Sequence, residues 1–452
     1  MSGIFKAYDV RGIYPEQINE TIARQIGMAF QFVLDDEDRA KGNTVVVGRD
    51  MRSHSEPLSR ALIEGLRAAG LDVLDIGMTT TPMNYFAVGH LGAAGGIQVT
   101  ASHNPARYNG LKFSRHEARP VSGDHGIPLM EEKVASGDLP VAATPGTLRT
   151  GEVFADYEQH ILSFLRRPAG ARKLKVVVDA ANGMGTIYRP ILEQLGIELI
   201  PLYFELDGTF PNHEANPLKL ENLRDLSAQV KATGADLGVS FDGDADRSAF
   251  VDEHGEPVGS DLITALIGGE LLQRQPGKAV LYDLRSSRAV AEYIRECGGV
   301  PVRERVGHSF MKATLRQRDA LFGGELAGHY YFRSNYFADC AIMAVVEILN
   351  LLWQEGKQLS ELVAPLLRYH KTPEINFQVE DKQGRIDALA ARYADAEIDY
   401  LDGITVSYPS WWANVRPSNT EPYLRLVLEA STAEELETRR QELIKILGEP
   451  AE

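Results

Sequence analysis

Three aspartates at alternate positions form the most chemically specific stretch of the sequence. Asp242, Asp244 and Asp246 lie in "DGDADR", between the apolar runs "LGVSF" and "SAFV". If the backbone stays extended here, all three carboxylates point the same way, and they repel one another unless a cation lies between them. Ligand sets made only of oxygen favour Mg²⁺ or Ca²⁺ over zinc. The stretch therefore predicts a buried metal-binding loop at the end of a strand.

An EF-hand calcium loop is the main competing interpretation of this stretch. Such a loop also begins with acidic ligands at its first, third and fifth positions, and Glu253 falls at its twelfth. The sixth position of an EF-hand must be glycine for a sharp turn, and here it is Arg247. The residues that follow favour a strand, so we reject the EF-hand. A solvated acidic turn is the remaining alternative.

A serine in a second polar loop indicates which reaction such a metal would serve. In "VTASHNP", Ser102 stands among small and polar residues, and an accessible serine beside Mg²⁺ is typical of phosphoryl transfer. A plain turn is one alternative, because Ser, Asn and Pro all favour turns. A Ser-His-Asp hydrolase is another, but the G-x-S-x-G elbow is absent. We expect His103 to support the loop by hydrogen bonding, because an extended strand would not let it turn back onto Ser102.

Two further loops carry groups suited to a phosphorylated sugar. "NVRPSNTEP" supplies a compact set of donors that could grip a phosphate group: Arg416, Ser418, Asn419 and Thr420. "GELAGH" supplies Glu325, which can accept hydrogen bonds from sugar hydroxyls, and His329, and its glycines let a ligand approach the backbone. A polar turn and an ordinary glycine turn, respectively, are the alternatives.

A weak internal repeat predicts how these loops are positioned. The strand-like stretches "TVVVGRD", "KVVVDAANGMG" and "AVLYDLRSS" each lead into a helical stretch and then another strand. This alternation indicates right-handed βαβ units in mostly parallel sheets. Each copy later reaches a second apolar strand, and the loops at Ser102, Asp242 and Glu325 follow those strands. Because open α/β sheets bind ligands beyond the carboxyl ends of their strands, we expect the three loops to face one cleft.

Soft, polar stretches divide the chain into four predicted domains. Three are α/β domains with mixed, mostly parallel sheets, at residues 1–148, 149–255 and 256–368. The last, 369–452, does not follow the repeat. Its sequence predicts a strand, a helix, a hairpin with its turn at Asp402-Gly403, and a final helix, so we expect an α+β domain. Its polar loop would complete a central cleft.

Composition excludes several classes of protein. The 452 residues carry a formal net charge of −16 and no dense basic block, so nucleic acids and anionic membranes are poor partners. Two cysteines, with no CxxC pair, disfavour a disulfide framework or a cysteine-rich zinc site. The N-terminus lacks the apolar stretch of a signal peptide, and the run from Cys340 to Trp353 is broken by Glu347 and Asn350. These features favour a cytoplasmic protein.

Taken together, the loops resemble those of the α-D-phosphohexomutase family. The motifs "AYDVRG", "TASHNP", "DGDADR", "GELAGH" and "RPSNTEP" occur in that order and span nearly the whole chain. The resemblance implies four domains around one deep cleft. It also implies reversible conversion of hexose 6-phosphates and hexose 1-phosphates, of mannose and glucose, through a phosphoserine and a 1,6-bisphosphosugar. The implied cofactor is one Mg²⁺ per site, and the implied partner is a phosphohexose.

The resemblance also assigns roles to residues that would otherwise be taken as structural or surface groups. Ser102 would be the phosphoserine, with one of its phosphate oxygens joining the three aspartates on Mg²⁺. The remaining positions are Arg11 near the phosphoserine, Arg247 near the transferring group, Lys112 and His308 near proton transfer, and Arg285 and His329 as contacts to substrate phosphate.

Departures from the family pattern leave the preferred sugar open. Ala327 replaces a serine found in many relatives, Pro417 replaces a small residue, and Arg285 occupies a position that is often lysine. Phosphoglucosamine mutase is therefore an alternative, and a metal-dependent sugar phosphatase is a less favoured one. A binding module without turnover would need damage at Ser102 or the aspartates, and none is visible. A monomer or weak homodimer is expected.

Overall fold

The computed structural model describes residues 3–123, 125–418 and 423–451. Within these ranges the chain forms four β-sheets flanked by helices. Three of the sheets are mixed and mostly parallel at their centres, and the fourth is antiparallel, which confirms the predicted fold class.

The first sheet has the strand order β1-β5-β4-β2-β3-β7, with β6 on β5. Its elements are β1 (Asp9–Ile13), α1 (Glu20–Ala29), α2 (Asp36–Arg39), β2 (Thr44–Arg49), α3 (Ser55–Ala68), β3 (Asp72–Met78), α4 (Thr81–His90), β4 (Gly95–Val99), β5 (Tyr108–Arg115), β6 (Arg119–Pro120), α5 (Ile127–Ser136) and β7 (Leu148–Thr150).

The second sheet has the order β12-β11-β10-β8-β9. Its elements are α6 (Phe154–Leu162), β8 (Lys175–Asp179), α7 (Arg189–Gln194), β9 (Glu198–Leu202), α8 (Arg224–Thr233), β10 (Leu237–Phe241), β11 (Ser248–Val251) and β12 (Pro257–Val258).

The third sheet has the order β14-β13-β15-β16-β17. Its elements are α9 (Ser260–Arg274), β13 (Ala279–Asp283), α10 (Arg288–Glu296), β14 (Val300–Glu304), α11 (His308–Gln317), β15 (Phe322–Gly324), β16 (Tyr330–Phe332), β17 (Ala338–Asp339), α12 (Ala341–Glu355) and α13 (Leu359–Val363).

The fourth sheet has the order β18-β23-β22-β21-β20, with β19 also on β23. Its elements are β18 (His370–Lys371), β19 (Ile375–Gln378), α14 (Lys382–Arg392), β20 (Glu397–Asp399), β21 (Ile404–Ser407), β22 (Trp411–Pro417), β23 (Tyr423–Ala430) and α15 (Ala433–Leu447).

The predicted threefold repeat is present as one shared strand pattern. In each of the first three sheets, a first strand pairs in parallel with the strand after its helix and with a central strand, which then pairs antiparallel with the next. The central strands β4, β10 and β15 are buried along their whole length, as expected for strands covered on both faces. The serine loop (residues 100–107), the aspartate loop (residues 242–247) and the "GELAGH" loop (residues 325–329) each follow one of these strands.

The apolar run around Trp353 is a buried helix. All but the last two residues of α12 are buried. The helix packs against α9, α6 and strand β11 in the largest hydrophobic core of the described residues. Across residues 3–123, 125–418 and 423–451, no helix combines the length and the apolar character needed to cross a membrane.

The serine loop and the aspartate loop touch backbone to backbone at Gly243. A β-carbon built on Gly243 would lie 2.3 Å from the carbonyl oxygen of Ser102. No side chain fits between the loops, so glycine allows the first and second sheets to bring these two segments together.

We expect Gly243→Ala to force the two loops apart and to destabilise the protein by about 1–3 kcal/mol, the usual cost of an overpacked methyl group. Gly123→Ala is the matched control, because its added methyl would meet its nearest atom at 3.5 Å, an ordinary contact. Thermal unfolding followed by circular dichroism compares the two variants. Equal unfolding midpoints for both would contradict the close contact.

Candidate active site

Ser102 is buried against the aspartate loop. Its backbone is left-handed, with φ +52°, and its side chain is only slightly exposed. The hydroxyl Oγ donates a hydrogen bond of 3.0 Å to Oδ2 of Asp242. Because Ser102 is not extended, the expectation for His103 was wrong in one respect. The imidazole does turn back, and its Nδ1 lies 3.3 Å from Oγ.

Arg52 holds the serine loop in shape and was not identified from the sequence. Its guanidinium donates to four backbone carbonyl oxygens in the loop and at the start of β5: those of Ser102 at 3.0 Å, Asn104 at 2.6 Å, Pro105 at 2.9 Å and Tyr108 at 3.1 Å. Asp50 pairs with the same side chain at 3.2 Å and balances its buried charge. The repeat could have indicated Arg52, because this residue follows the carboxyl end of the parallel strand β2, where ligand-binding residues are expected.

Arg11 reaches the same loop from the other side. Its guanidinium donates to Oδ1 of Asn104 at 2.8 Å and pairs with Asp9 at 2.5 Å. This side chain therefore places a positive charge beside the serine loop, where the sequence predicts an arginine near the phosphoserine.

The three aspartates converge through a turn rather than along an extended strand, so that part of the prediction was wrong. Strand β10 ends at Phe241, and Ala245 adopts φ +59° within the turn. One carboxylate oxygen from each of Asp242, Asp244 and Asp246 lies within 4.8 Å of the others. All three side chains are buried. The structure thus brings the predicted ligand atoms together by a different backbone path.

Two buried cations oppose this concentration of negative charge. Nζ of Lys112 donates to Oδ2 of Asp244 at 2.7 Å and also to Oδ2 of Asp246, while Nε of Arg247 donates to Oδ2 of Asp242 at 2.9 Å. Burial would lower the pKa of Lys112, but the aspartates raise it well above its usual value. Burial raises the pKa of Asp242, and the neighbouring aspartates add to the rise against the effect of Arg247.

The remaining carboxylate oxygens fit a hard divalent cation. Oδ1 of Asp244 and Oδ1 of Asp246 are buried without a hydrogen-bond partner among the described residues. Buried acceptors of this kind normally have partners, and oxygen-only sets suit Mg²⁺. The donor set of the aspartate loop, with Ser102 beside it, is therefore compatible with the predicted metal.

Glu325 is fixed at the turn after β15. Its Oε1 accepts from the backbone N–H of Gly307 at 2.9 Å, and its Oε2 accepts from the Tyr331 hydroxyl. His329 lies between this carboxylate and the aspartate loop, 3.2 Å from Glu325 and 3.6 Å from Asp246. Burial alone would lower the pKa of His329, but these two carboxylates raise it to about 9.

His308 begins helix α11 and faces the same region. Its ring packs edge-on against Tyr8, with centroids 5.1 Å apart, and lies 6.3 Å from the ring of His329. Burial and the nearby positive charge of Lys312 lower the pKa of His308 to about 3. The imidazole is therefore neutral at neutral pH, in contrast to that of His329.

Arginines from the third and fourth sheets meet at Glu374. Arg285 follows β13 and is held by Asp283 at 2.7 Å, and Asp283 also accepts from the backbone N–H of Leu326 in the "GELAGH" loop. Nη2 of Arg416, on β22, donates to Glu374 at 2.7 Å, and Nη1 of Arg285 lies 3.8 Å from the same carboxylate. Glu374 could not be identified from the sequence, because a lone glutamate before a strand belongs to no motif.

The predicted phosphate loop is only partly described. Ser418 is buried at the end of β22, and its backbone N–H donates to the carbonyl oxygen of Tyr423 at 2.9 Å. Asn419 and Thr420 lie outside the described residues.

Comparison with known proteins covers the chain from end to end. Four models of phosphoglucomutase/phosphomannomutase domains match, those of α/β/α domains I, II and III at residues 2–139, 155–255 and 259–369, and that of the C-terminal domain at 374–446. A protein named "phosphohexose mutases" from Xanthomonas campestris pv. campestris is 41% identical over 98% of both chains. A phosphomannomutase/phosphoglucomutase from Pseudomonas syringae pv. tomato is 38% identical over 96% of this chain and 92% of its own.

A solved structure with a similar fold is also that of a phosphoglucomutase/phosphomannomutase family protein. The crystal structure of a phosphoglucomutase/phosphomannomutase family protein from Burkholderia thailandensis is 36% identical and has a TM-score of 0.90. That alignment covers 98% of this chain and 96% of the other. With all four domain models matched in order, the chain belongs to the phosphoglucomutase/phosphomannomutase family.

Proposed function

We propose that this protein interconverts hexose 1-phosphates and hexose 6-phosphates of mannose and glucose, with Ser102 carrying the transferred phosphoryl group. The observation that carries the proposal is the hydrogen bond of 3.0 Å between the Ser102 hydroxyl and Asp242. In this contact, a buried serine hydroxyl from one repeat meets the carboxylate cluster of another. Family membership supports the same reaction class.

The reaction begins with phosphorylated Ser102. A free hydroxyl of the bound sugar monophosphate attacks the phosphoserine phosphorus, the bond to Oγ breaks, and a 1,6-bisphosphosugar forms. After the intermediate turns around, Oγ attacks its other phosphate and regains a phosphoryl group, which releases the isomeric monophosphate. Mg²⁺ held by Asp242, Asp244 and Asp246 would neutralise charge on the transferring group.

The cationic side chains around Ser102 support this transfer. Arg247 and Lys112 lie within hydrogen-bond distance of the aspartates, and Arg11 lies on the other side of the serine loop. Preorganised positive charge of this kind stabilises a phosphoryl group in transfer without reorganisation. We assign the proton transfers of the sugar hydroxyl to Lys112 and His308, the two positions that the resemblance to the family implies for this role.

A site that acts on both ends of one sugar needs a second, fixed phosphate grip. We assign that grip to Arg416, Ser418, Asn419 and Thr420, assisted by Arg285 and His329. Glu325 would recognise hydroxyl groups of the sugar, and the Gly307 N–H and the Tyr331 hydroxyl hold its carboxylate in place. The four domains predicted at 1–148, 149–255, 256–368 and 369–452 would each supply one wall of this site, in a monomer or weak homodimer.

Ser102→Ala should abolish mutase activity, because it removes the oxygen that carries the phosphoryl group. Intact-mass analysis of the wild type should show a fraction heavier by one phosphate that maps to Ser102. Ser114→Ala is the matched control, a serine on β5 with a long hydrogen bond of 3.5 Å to Gly96. Turnover near the wild-type rate by Ser102→Ala would disprove the assignment.

Asp244→Asn should weaken Mg²⁺ binding by about tenfold or more, because ligand charge sets the affinity of oxygen-only sites. Titration calorimetry measures that affinity directly, and activity lost on dialysis against EDTA should return with Mg²⁺. Asp225→Asn, on the exposed face of α8, is the control and should leave both unchanged. Activity that is indifferent to exhaustive chelation would show that the aspartate loop is only structural.

Mannose and glucose phosphates should be used with similar catalytic efficiency, and glucosamine phosphate less well. No group of the proposed site recognises carbon 2, where these sugars differ, and the amino group of glucosamine would bring a positive charge that needs its own acceptor. Kinetics on the three 1-phosphates under one set of conditions tests this. A preference of tenfold for glucosamine 1-phosphate, about 1.4 kcal/mol in transition-state binding, would make the protein a phosphoglucosamine mutase instead.

A further inference from the structure

Glu374 joins arginines that come from two different sheets. Its carboxylate lies 2.7 Å from Arg416 and 3.4 Å from Arg425, which are on adjacent strands of the fourth sheet, and 3.8 Å from Arg285 of the third. The residue itself stands between β18 and β19, which both pair with β23 in the fourth sheet. A single carboxylate of the fourth sheet thus lies close to positive side chains of both the third and the fourth sheet.

These arginines would not stay together without a negative charge between them. The side chain of Arg416 is 5% exposed and that of Arg285 is 10% exposed, and like charges repel most strongly when they are withdrawn from water. A buried guanidinium without a partner is also strongly destabilising. Glu374 removes both penalties for Arg416 before any substrate arrives.

The other carboxylates in the region do not replace Glu374. Asp283 accepts from Nε and Nη2 of Arg285 and so fixes that arginine independently. Asp402 interacts with Arg416 over a longer range, but its pKa is raised because burial disfavours its charged form. Arg416 consequently depends on Glu374 more than Arg285 does. Nε of Arg416 is buried without a hydrogen-bond partner among the described residues, so the guanidinium retains an unused donor.

We propose that Glu374 is a positioning residue that holds Arg416 beside Arg285, so that both can grip the distal phosphate of the substrate. The proposal rests on the proposed function, because it assumes that Arg416 binds that phosphate. Glu374 touches neither the aspartate loop nor Ser102 in its described contacts, so it should affect binding of the distal phosphate and leave the phosphoryl-transfer centre intact.

The test compares Glu374→Gln with the shorter acid Glu374→Asp and with Glu380→Gln, an exposed glutamate of the same region. For Glu374→Gln we expect KM for glucose 1-phosphate and the inhibition constant of inorganic phosphate to rise about tenfold, as for loss of an oriented charge-assisted contact. The kcat at saturating substrate should change less than twofold, a split that a general folding defect would not produce. Glu374→Asp should recover part of the loss, and Glu380→Gln should match the wild type.

Three results would overturn the proposal. An unchanged KM and phosphate inhibition constant in Glu374→Gln would show that Arg416 needs no orienting group. Tighter phosphate binding would show that Glu374 competes with the substrate instead of positioning its ligand. A fall in kcat with unchanged KM would place its effect at the transfer centre.

Arg416→Ala separates failure of this proposal from failure of the proposed function. If Arg416→Ala raises KM and Glu374→Gln does not, the phosphate grip stands and the positioning role fails. If Arg416→Ala leaves KM unchanged as well, the assignment of the grip itself fails. Circular dichroism of each variant identifies any loss of folding, and Glu374→Asp then provides the decisive comparison.

Discussion

The burial of three carboxylates at the junction of the first and second sheets is the constraint on which the rest of the site depends. Negative charges that lie this close and this far from water need counter-charges, and the chain supplies Lys112 from β5 and Arg247 from the turn itself. Lys112 belongs to one repeat and the aspartates to the next, so the same ion pairs that neutralise the cluster also join the two sheets. Thr81, at the start of α4, adds its hydroxyl to Asp244 across the same junction.

The repeat explains why chemically different loops meet. Each of the three similar sheets ends its central strand at a loop, and each loop carries a different group: the serine, the aspartates, and Glu325 with His329. Where the first two loops meet, the backbone of Gly243 packs directly against the backbone of Ser102, with no room for a side chain. His329 then continues the contacts from the aspartates to Glu325. The fourth sheet has another topology and contributes Arg416 at the end of one of its longest strands, β22.

Much of the fold followed from the sequence, because periodic apolar strands and helices leave a strong local pattern. The placement of Ser102, Asp242 and Glu325 after equivalent strands was predicted for that reason. The exact path of the backbone was not predicted. Ser102 and Ala245 adopt left-handed conformations that their residue types do not require, and the predictions for His103 and for an extended aspartate loop were wrong for that reason. Arg52 and Glu374 were also missed, because each acts through partners far away in the chain and neither belongs to a recognisable motif.

The central claim is that a phosphoryl group passes between Ser102 and the sugar without reaching water. Protein labelled with radioactive phosphate on Ser102, mixed with unlabelled glucose 1-phosphate in a single turnover, tests this most directly. The account predicts that the label leaves the protein and appears first in glucose 1,6-bisphosphate and then in glucose 6-phosphate, while Ser102 regains the unlabelled phosphoryl group from carbon 1. Quantitative release of the label as inorganic phosphate would contradict it and identify a phosphatase.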